Sequence, residues 1–137
     1  MESPQNHKLN MISVVMPTYN ASKYVALAIE SILNQTYPHF ELIIVDDGST
    51  DSTLKILESY AKKDDRIRIF KTEHGGPSRA RNLAIAKAKY PWIAILDADH
   101  LALPNRFEKQ ISLVEAKPNV VAWGSAVHHI NSQGEIL

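Results

Sequence analysis

At 137 residues, with 45% hydrophobic and 22% charged residues, the chain has the size and make-up of one soluble globular domain. Fifteen basic residues balance fifteen acidic ones, so charge gives no reason to expect a nucleic acid or an anionic membrane as partner. Cysteine is absent, which excludes disulfides and thiolate metal sites.

The pass along the chain begins with a polar lead-in, Met1 to Asn10, which lacks the apolar core of a signal peptide and is expected to be disordered, leaving 11–137 as the domain. Ile12 to Met16 reads as a buried strand closed by Pro17. Tyr24, Val25, Ala28, Ile29, Ile32 and Leu33 then recur at helical spacing, predicting a helix over about Ser22 to Gln35 that Tyr37-Pro38 ends. Leu42 to Val45 is a second strand, followed by the turn-rich run Asp46 to Asp51. Asp51 or Ser52 is placed to cap a helix whose stripe is Leu54, Leu57, Tyr60 and Ala61.

Ile67 to Phe70 is a third strand, and Gly75-Gly76-Pro77 opens a helix with proline in its favoured first turn. Its stripe is Ala80, Leu83, Ala84 and Ala88. Trp92 to Leu96 is a fourth strand, far shorter than the roughly 18 apolar residues of a membrane span. Pro104 starts a helix carrying Phe107, Ile111 and Val114; Val120 to Ile130 reads as a strand pair or one long bent strand, with a turn at Ser132-Gln133-Gly134.

Strands alternating with helices predict an α/β, Rossmann-like fold: a mostly parallel central sheet with helices on both faces. In such sheets ligands gather at the carboxyl ends of the strands. Three polar clusters fall at such ends: Pro17-Thr18-Tyr19-Asn20, Asp46-Asp47-Gly48-Ser49 and Asp97-Ala98-Asp99.

In an extended chain Asp97 and Asp99 point to one side, and a divalent cation relieves the repulsion of paired carboxylates. A lone Asp-X-Asp is nevertheless common in solvated turns. Asp47 is placed to accept a hydrogen bond from a base N–H or a ribose hydroxyl, although Asp, Gly and Ser are also ordinary turn formers. Tyr19 offers a ring for stacking on a base, with backbone groups of Pro17 and Thr18 beside it. Gly75 to Asn82 sets glycines, Arg79 and Arg81 around a helix N-terminus, which suits phosphate oxygens.

Together these clusters are more specific than any one of them. Val14-Val15-Met16-Pro17-Thr18-Tyr19-Asn20, Ser31 to Tyr37, Glu41 to Asp51, Gly76 to Asn82, Leu96-Asp97-Ala98-Asp99 and Leu103-Pro104-Asn105-Arg106 resemble, in order and spacing, the pattern of family 2 glycosyltransferases. The resemblance covers roughly Met11 to Val121 and implies a GT-A nucleotide-diphospho-sugar transferase fold, with most of the acceptor-binding half missing. It implies transfer of a sugar, with inversion, from a nucleoside-diphosphate sugar to an acceptor hydroxyl; a UDP-sugar is the expected donor and a glycan or lipid-linked acceptor the expected recipient. By the same resemblance Pro17, Thr18, Tyr19 and Asp47 would surround base and ribose, with Asp46 as support. Asp97 would lie near the ribose or donor sugar, Arg81 and Asn82 on the helix behind it, and Asp99 would bind Mn²⁺ or Mg²⁺ at the diphosphate.

Two departures stand out. His100 follows the Asp-X-Asp run where the family often continues with an acidic residue. The family's catalytic base falls beyond residue 137; Glu108 and Glu115 sit on a plain amphipathic helix, Glu135 is the third glutamate weighed, and none is assigned that role. His128 and His129, on opposite faces of an expected strand, are not placed to share a metal. A dehydrogenase is disfavoured because no Gly-X-Gly-X-X-Gly follows the first strand, and a nucleotidyltransferase because no glycine-rich, lysine-bearing loop is present. The remaining alternative is a non-catalytic nucleotide-sugar-binding or assembly module, self-associating through apolar surface left where the missing half would pack. The lack of cysteine fits a reducing compartment, and the expected place is the cytoplasm at the inner face of the membrane.

Overall fold

The computed structural model describes residues 10–137, so the lead-in expected over residues 1–10 lies, Asn10 apart, outside the described residues. Asn10 itself is held: its carbonyl accepts from the Tyr37 hydroxyl at 2.8 Å, and its amide donates to Glu115 at 2.6 Å.

Two apolar runs make the centre of the sheet. β1 (Ile12–Thr18) and β2 (Phe40–Asp46) are buried at all seven positions each, as strands covered on both faces must be. β3 (Ile67–Lys71) lies outside β2 and β4 (Trp92–Ile95) outside β1, giving the order β3-β2-β1-β4 with every pairing parallel. The expected α/β architecture is therefore present. The chain walks β1, β2, β3 in one direction and then crosses to the other side of β1, so the strand order reverses between β1 and β4. Crevices at such reversals, beyond the carboxyl ends of the strands, are where open α/β sheets bind ligands.

Four helices cover the two faces. α1 (Val25–Leu33), α2 (Thr53–Ala61) and α4 (Arg106–Ala116) pack on one side, where Ile12, Val14 and Met16 meet Val25, Ala28, Ile29, Ile32, Leu57, Phe107 and Ile111. α3 (Pro77–Ala86) covers the other, its Ala80 and Ala84 against Val15, Ile43 and Val45. Alternation along each strand makes this two-sided core possible, and small alanines let α3 approach closely. Each fully buried Val, Leu or Ile contributes roughly 1.5–3 kcal/mol relative to exposure.

α1 starts at Val25, not Ser22. The backbone N–H groups of Ala21 and Ser22 donate instead to Thr53 Oγ1 (2.8 Å) and Asp51 Oδ2 (3.2 Å), which holds those residues outside the helix. The expected strand pair over Val120 to Ile130 is not formed; the region holds an isolated antiparallel bridge, Ile130 to Ile136, around the turn at Gly134. A β-rich sequence needs a neighbouring ladder, and a lone pair of strands is marginal in water. Val121 and Val127 accordingly remain exposed, and His128 and His129 lie outside any strand. Between the outer edge of β4, α4 and Val121-Ala122-Trp123 lies a groove of about 320 Å³, lined by none of the sequence-predicted site residues.

A polar network closes the opposite end of the sheet. Buried Glu41 accepts from Ser13 Oγ (2.7 Å), the Lys89 backbone N–H (2.8 Å) and Arg68 Nη1 (2.7 Å), while the Tyr90 N–H donates to Ser13 Oγ (3.1 Å). Burial alone would raise the Glu41 carboxyl; the donors around it outweigh that and hold it below its ordinary value.

Candidate functional site

The parallel register brings Thr18 level with Asp46, so β1 and β2 end together. The next residue, Asp47, donates its backbone N–H to the Thr18 carbonyl at 2.8 Å. Gly48 at φ +74° then turns the chain, a conformation that favours glycine. A side chain there would also meet the His74 backbone nitrogen at 2.9 Å, so the turn and the 74–76 loop are in close contact.

Asp47 is 2% exposed and its carboxylate is fully engaged. Oδ1 accepts from the Gly75 N–H (3.0 Å), and Oδ2 from the Gly76 N–H (2.8 Å) and sits 3.0 Å from His74 Nδ1. This aspartate therefore fixes the loop that starts α3, with Gly76 at φ +94° and Pro77 as the first helical residue. One turn further on, Arg81 Nη2 donates to Asp97 Oδ1 at 2.9 Å, joining α3 to the chain leaving β4. A continuous path of contacts thus runs from β2 through Asp47, the Gly75-Gly76 amides and Arg81 to Asp97.

Asp97-Ala98-Asp99 is a turn, not a strand extension, because β4 ends at Ile95 and the His100 N–H donates back to the Asp97 carbonyl at 3.0 Å. The alternation expected of an extended chain does not apply. Ala98 is buried in the core, Asp97 faces Arg81, and the Asp99 side chain is 65% exposed. His100 Nε2 lies 3.7 Å from Asp99 Oδ1, too long for a hydrogen bond. Among the described residues no group of three His, Cys, Asp or Glu side chains is placed to hold a metal by itself.

Pro17 and Thr18 are buried within β1, with Thr18 Oγ1 donating to the Val45 carbonyl at 3.2 Å. Tyr19 is 46% exposed, but one face of its ring is covered by His74: the centroids lie 4.0 Å apart and the planes 25° from parallel. Asp46 accepts from the Ser49 N–H (3.3 Å) through Oδ2, while its buried Oδ1 meets no donor among the described residues.

Three features escaped the sequence reading. Asn20, at φ +46°, accepts through Oδ1 from the Thr50 (2.8 Å) and Asp51 (3.3 Å) N–H groups, and its own N–H donates to Ser49 Oγ (2.9 Å). With the Thr53 and Asp51 contacts, these bonds weld the β1–α1 loop to the β2–α2 loop; Asn after a strand end, tolerant of the left-handed region, is the signal that was available. Gln35 reaches across to the end of the Asp-X-Asp loop, donating to the Leu103 carbonyl (2.7 Å) and accepting from the Phe107 N–H (3.1 Å). His74 was not singled out, although it stands just before the glycine pair that opens α3.

A family model described as Glycosyl transferase family 2 matches residues 13–136. The chain is 41% identical, over 130 residues, to the O-antigen biosynthesis glycosyltransferase WbnJ of Escherichia coli, covering 94% of this chain and 51% of that protein. Among solved structures, S. aureus TarS 1–349 in complex with UDP-GlcNAc is similar with a TM-score of 0.74 and 31% identity, over 79% of this chain and 32% of that one. The mannosyltransferase PcManGT of Pyrobaculum calidifontis, in complex with GDP-Man and Mn²⁺, is similar with a TM-score of 0.68 and 28% identity, over 79% of this chain and 32% of that one. The chain spans about a fifth to a half of the length of the curated relatives it matches. On the match across nearly its whole described length, and with an α/β sheet shared with GT-A structures, the chain belongs to glycosyl transferase family 2, a family of transferase enzymes.

Proposed function

We propose that this chain is the donor-binding part of an inverting, metal-dependent glycosyltransferase, and that it holds a nucleoside-diphosphate sugar across the carboxyl ends of β1, β2 and β4. The observation that carries the reading is the contact path from Asp47 to Asp97 at the strand-order reversal, which ends beside the exposed carboxylate of Asp99. Tyr19 and Asp47 would frame the base over a floor made by Pro17 and Thr18. Arg81 would keep Asp97 turned toward ribose or donor sugar.

A divalent cation fits the donor set. Asp99 is an exposed oxygen ligand whose basic neighbour, His100 Nε2, stands 3.7 Å away, and Mg²⁺ commonly takes one or two carboxylates and completes its shell with substrate phosphates and water. Mn²⁺ suits the same oxygen donors. When bound, the ion would neutralise charge building on the departing nucleoside diphosphate. The neighbours in complex with UDP-GlcNAc and with GDP-Man and Mn²⁺ support both donor class and cation, and a UDP-sugar is the donor proposed. The carboxylate that takes the acceptor's proton is proposed to lie beyond residue 137, within a longer protein acting on a glycan or lipid-linked acceptor at the cytoplasmic face of a membrane. No helix among the described residues is long and apolar enough to cross one. If the chain self-associates, the apolar outer edge of β4 is the candidate surface.

The test is calorimetric titration of the chain with UDP, GDP and dTDP, with and without Mn²⁺. Binding of at least one is expected to require Mn²⁺, to be lost in Asp99→Ala and to weaken in Asp47→Ala. Equal binding by Asp99→Ala and the parent chain would refute the site.

A further inference from the structure

We infer that His74 occupies the place of the donor's base in the nucleotide-free protein, so that a nucleotide binds only as the imidazole swings away. This rests on the reading above, in which Tyr19 and Asp47 frame the base. The side chain makes both interactions expected of a base there. Its ring lies nearly flat on Tyr19, with centroids 4.0 Å apart, and its Nδ1 stands 3.0 Å from Asp47 Oδ2. A planar heteroaromatic ring that stacks on tyrosine and presents a ring N–H to a carboxylate is, in miniature, the chemistry of a nucleobase edge.

Three observations make the exchange feasible. His74 is 55% exposed, so solvent is open to the displaced ring. The loop does not depend on the imidazole, because the Gly75 and Gly76 amides bind Asp47 independently of it. A carboxylate has about four lone-pair sites, so Asp47 can keep both amides; what the swing gives up is the contact of Nδ1 with Oδ2 at 3.0 Å and with the Asp47 carbonyl at 3.2 Å. His74 is then a specificity-determining residue: a base is accepted when it replaces both the stack and the ring N–H, and a base lacking a suitably placed N–H leaves Asp47 short of a donor.

A side chain that fills its own subsite lowers apparent affinity by the fraction of molecules in which the subsite is free. His74→Ala should therefore bind the best of UDP, GDP and dTDP about 3- to 10-fold more tightly than the parent chain, in calorimetric titration with Mn²⁺. Circular dichroism and a urea midpoint would establish that the variant is folded. In parallel, the His74 imidazole resonance of the parent chain, shifted by the Tyr19 ring in the free state, should move to a solvent-like position when that nucleotide is added. Weaker or unchanged affinity in His74→Ala, or a resonance that keeps its ring shift, would overturn the inference while leaving donor binding by the parent chain intact. Failure of every nucleotide to bind either protein would remove the inference and the function reading together.

Discussion

Arg81 Nη2 holds Asp97 Oδ1 at 2.9 Å, and this one contact divides the two carboxylates of the Asp-X-Asp run. Asp97 is oriented by a guanidinium on α3, whereas Asp99 stands open to solvent. Two acidic residues one apart in sequence thereby acquire different surroundings, the first held by a guanidinium and the second left exposed.

Arg81→Ala tests that division. The pair is partly exposed, with side chains 28% and 40% accessible, so its loss should shift stability by no more than about 1 kcal/mol. Freed from Arg81, Asp97 can join Asp99, and Mn²⁺ should bind several-fold more tightly in the absence of nucleotide. Electron paramagnetic resonance of unbound Mn²⁺ measures this directly; unchanged metal affinity would show that Arg81 does not partition the carboxylates.

Gly48 and Gly134 provide a matched comparison. Both have positive φ, +74° and +85°, so alanine strains the backbone at either. At Gly134 an added methyl meets nothing within 4 Å, whereas at Gly48 it lies 2.9 Å from the His74 backbone nitrogen. Gly48→Ala should cost about 1–3 kcal/mol in urea unfolding and more than Gly134→Ala. Because it pushes on the 74–76 loop, it should also weaken nucleotide binding, which Gly134→Ala should leave alone.

Glu41 governs the acid limb of stability. Its folded carboxyl lies below the ordinary value of 4.5, since donation from Ser13, Lys89 and Arg68 overcomes burial. The contribution is therefore complete at neutral pH and is lost as pH falls below about 4.5 and through the lowered folded value. Urea midpoints at pH 7, 5, 4 and 3 should fall more steeply for the parent chain than for Glu41→Gln, whose curve starts lower and runs flatter. Parallel curves would mean that other carboxylates set the acid response.

Much of this molecule is legible in its sequence, for reasons that differ by element. The apolar runs of β1 and β2 have no alternative to a sheet covered on both faces, and the alanine stripe of α3 announces a helix that must approach closely. Val120 to Ile130 misleads because β-propensity is a preference for a pleated surface that a neighbouring strand has to supply. The polar clusters were correctly placed at strand ends, since topology alone puts them there. What topology does not reveal is partner choice: that Asp47 turns inward to three donors of the 74–76 loop, that Asp97 meets Arg81, and that Tyr19 is covered by His74. Each of those pairs joins residues distant in sequence, and each depends on a loop conformation that no periodicity encodes.

Among the described residues no strand flanks the outer side of β4, where Ile93 and Ile95 remain partly exposed and Arg106 reaches the Ile95 carbonyl at 3.2 Å. A ladder open on one side is a template that any extended segment can lengthen. β3 is likewise an edge, so the sheet is open at both margins and sealed at its centre, and the β4 margin is the one that carries the exposed isoleucines. Concentrated solutions of the 137-residue chain should be limited in shelf life by the β4 margin and not by unfolding of the core, and a lysine introduced there would act as a gatekeeper without touching Asp47, Asp97 or Asp99.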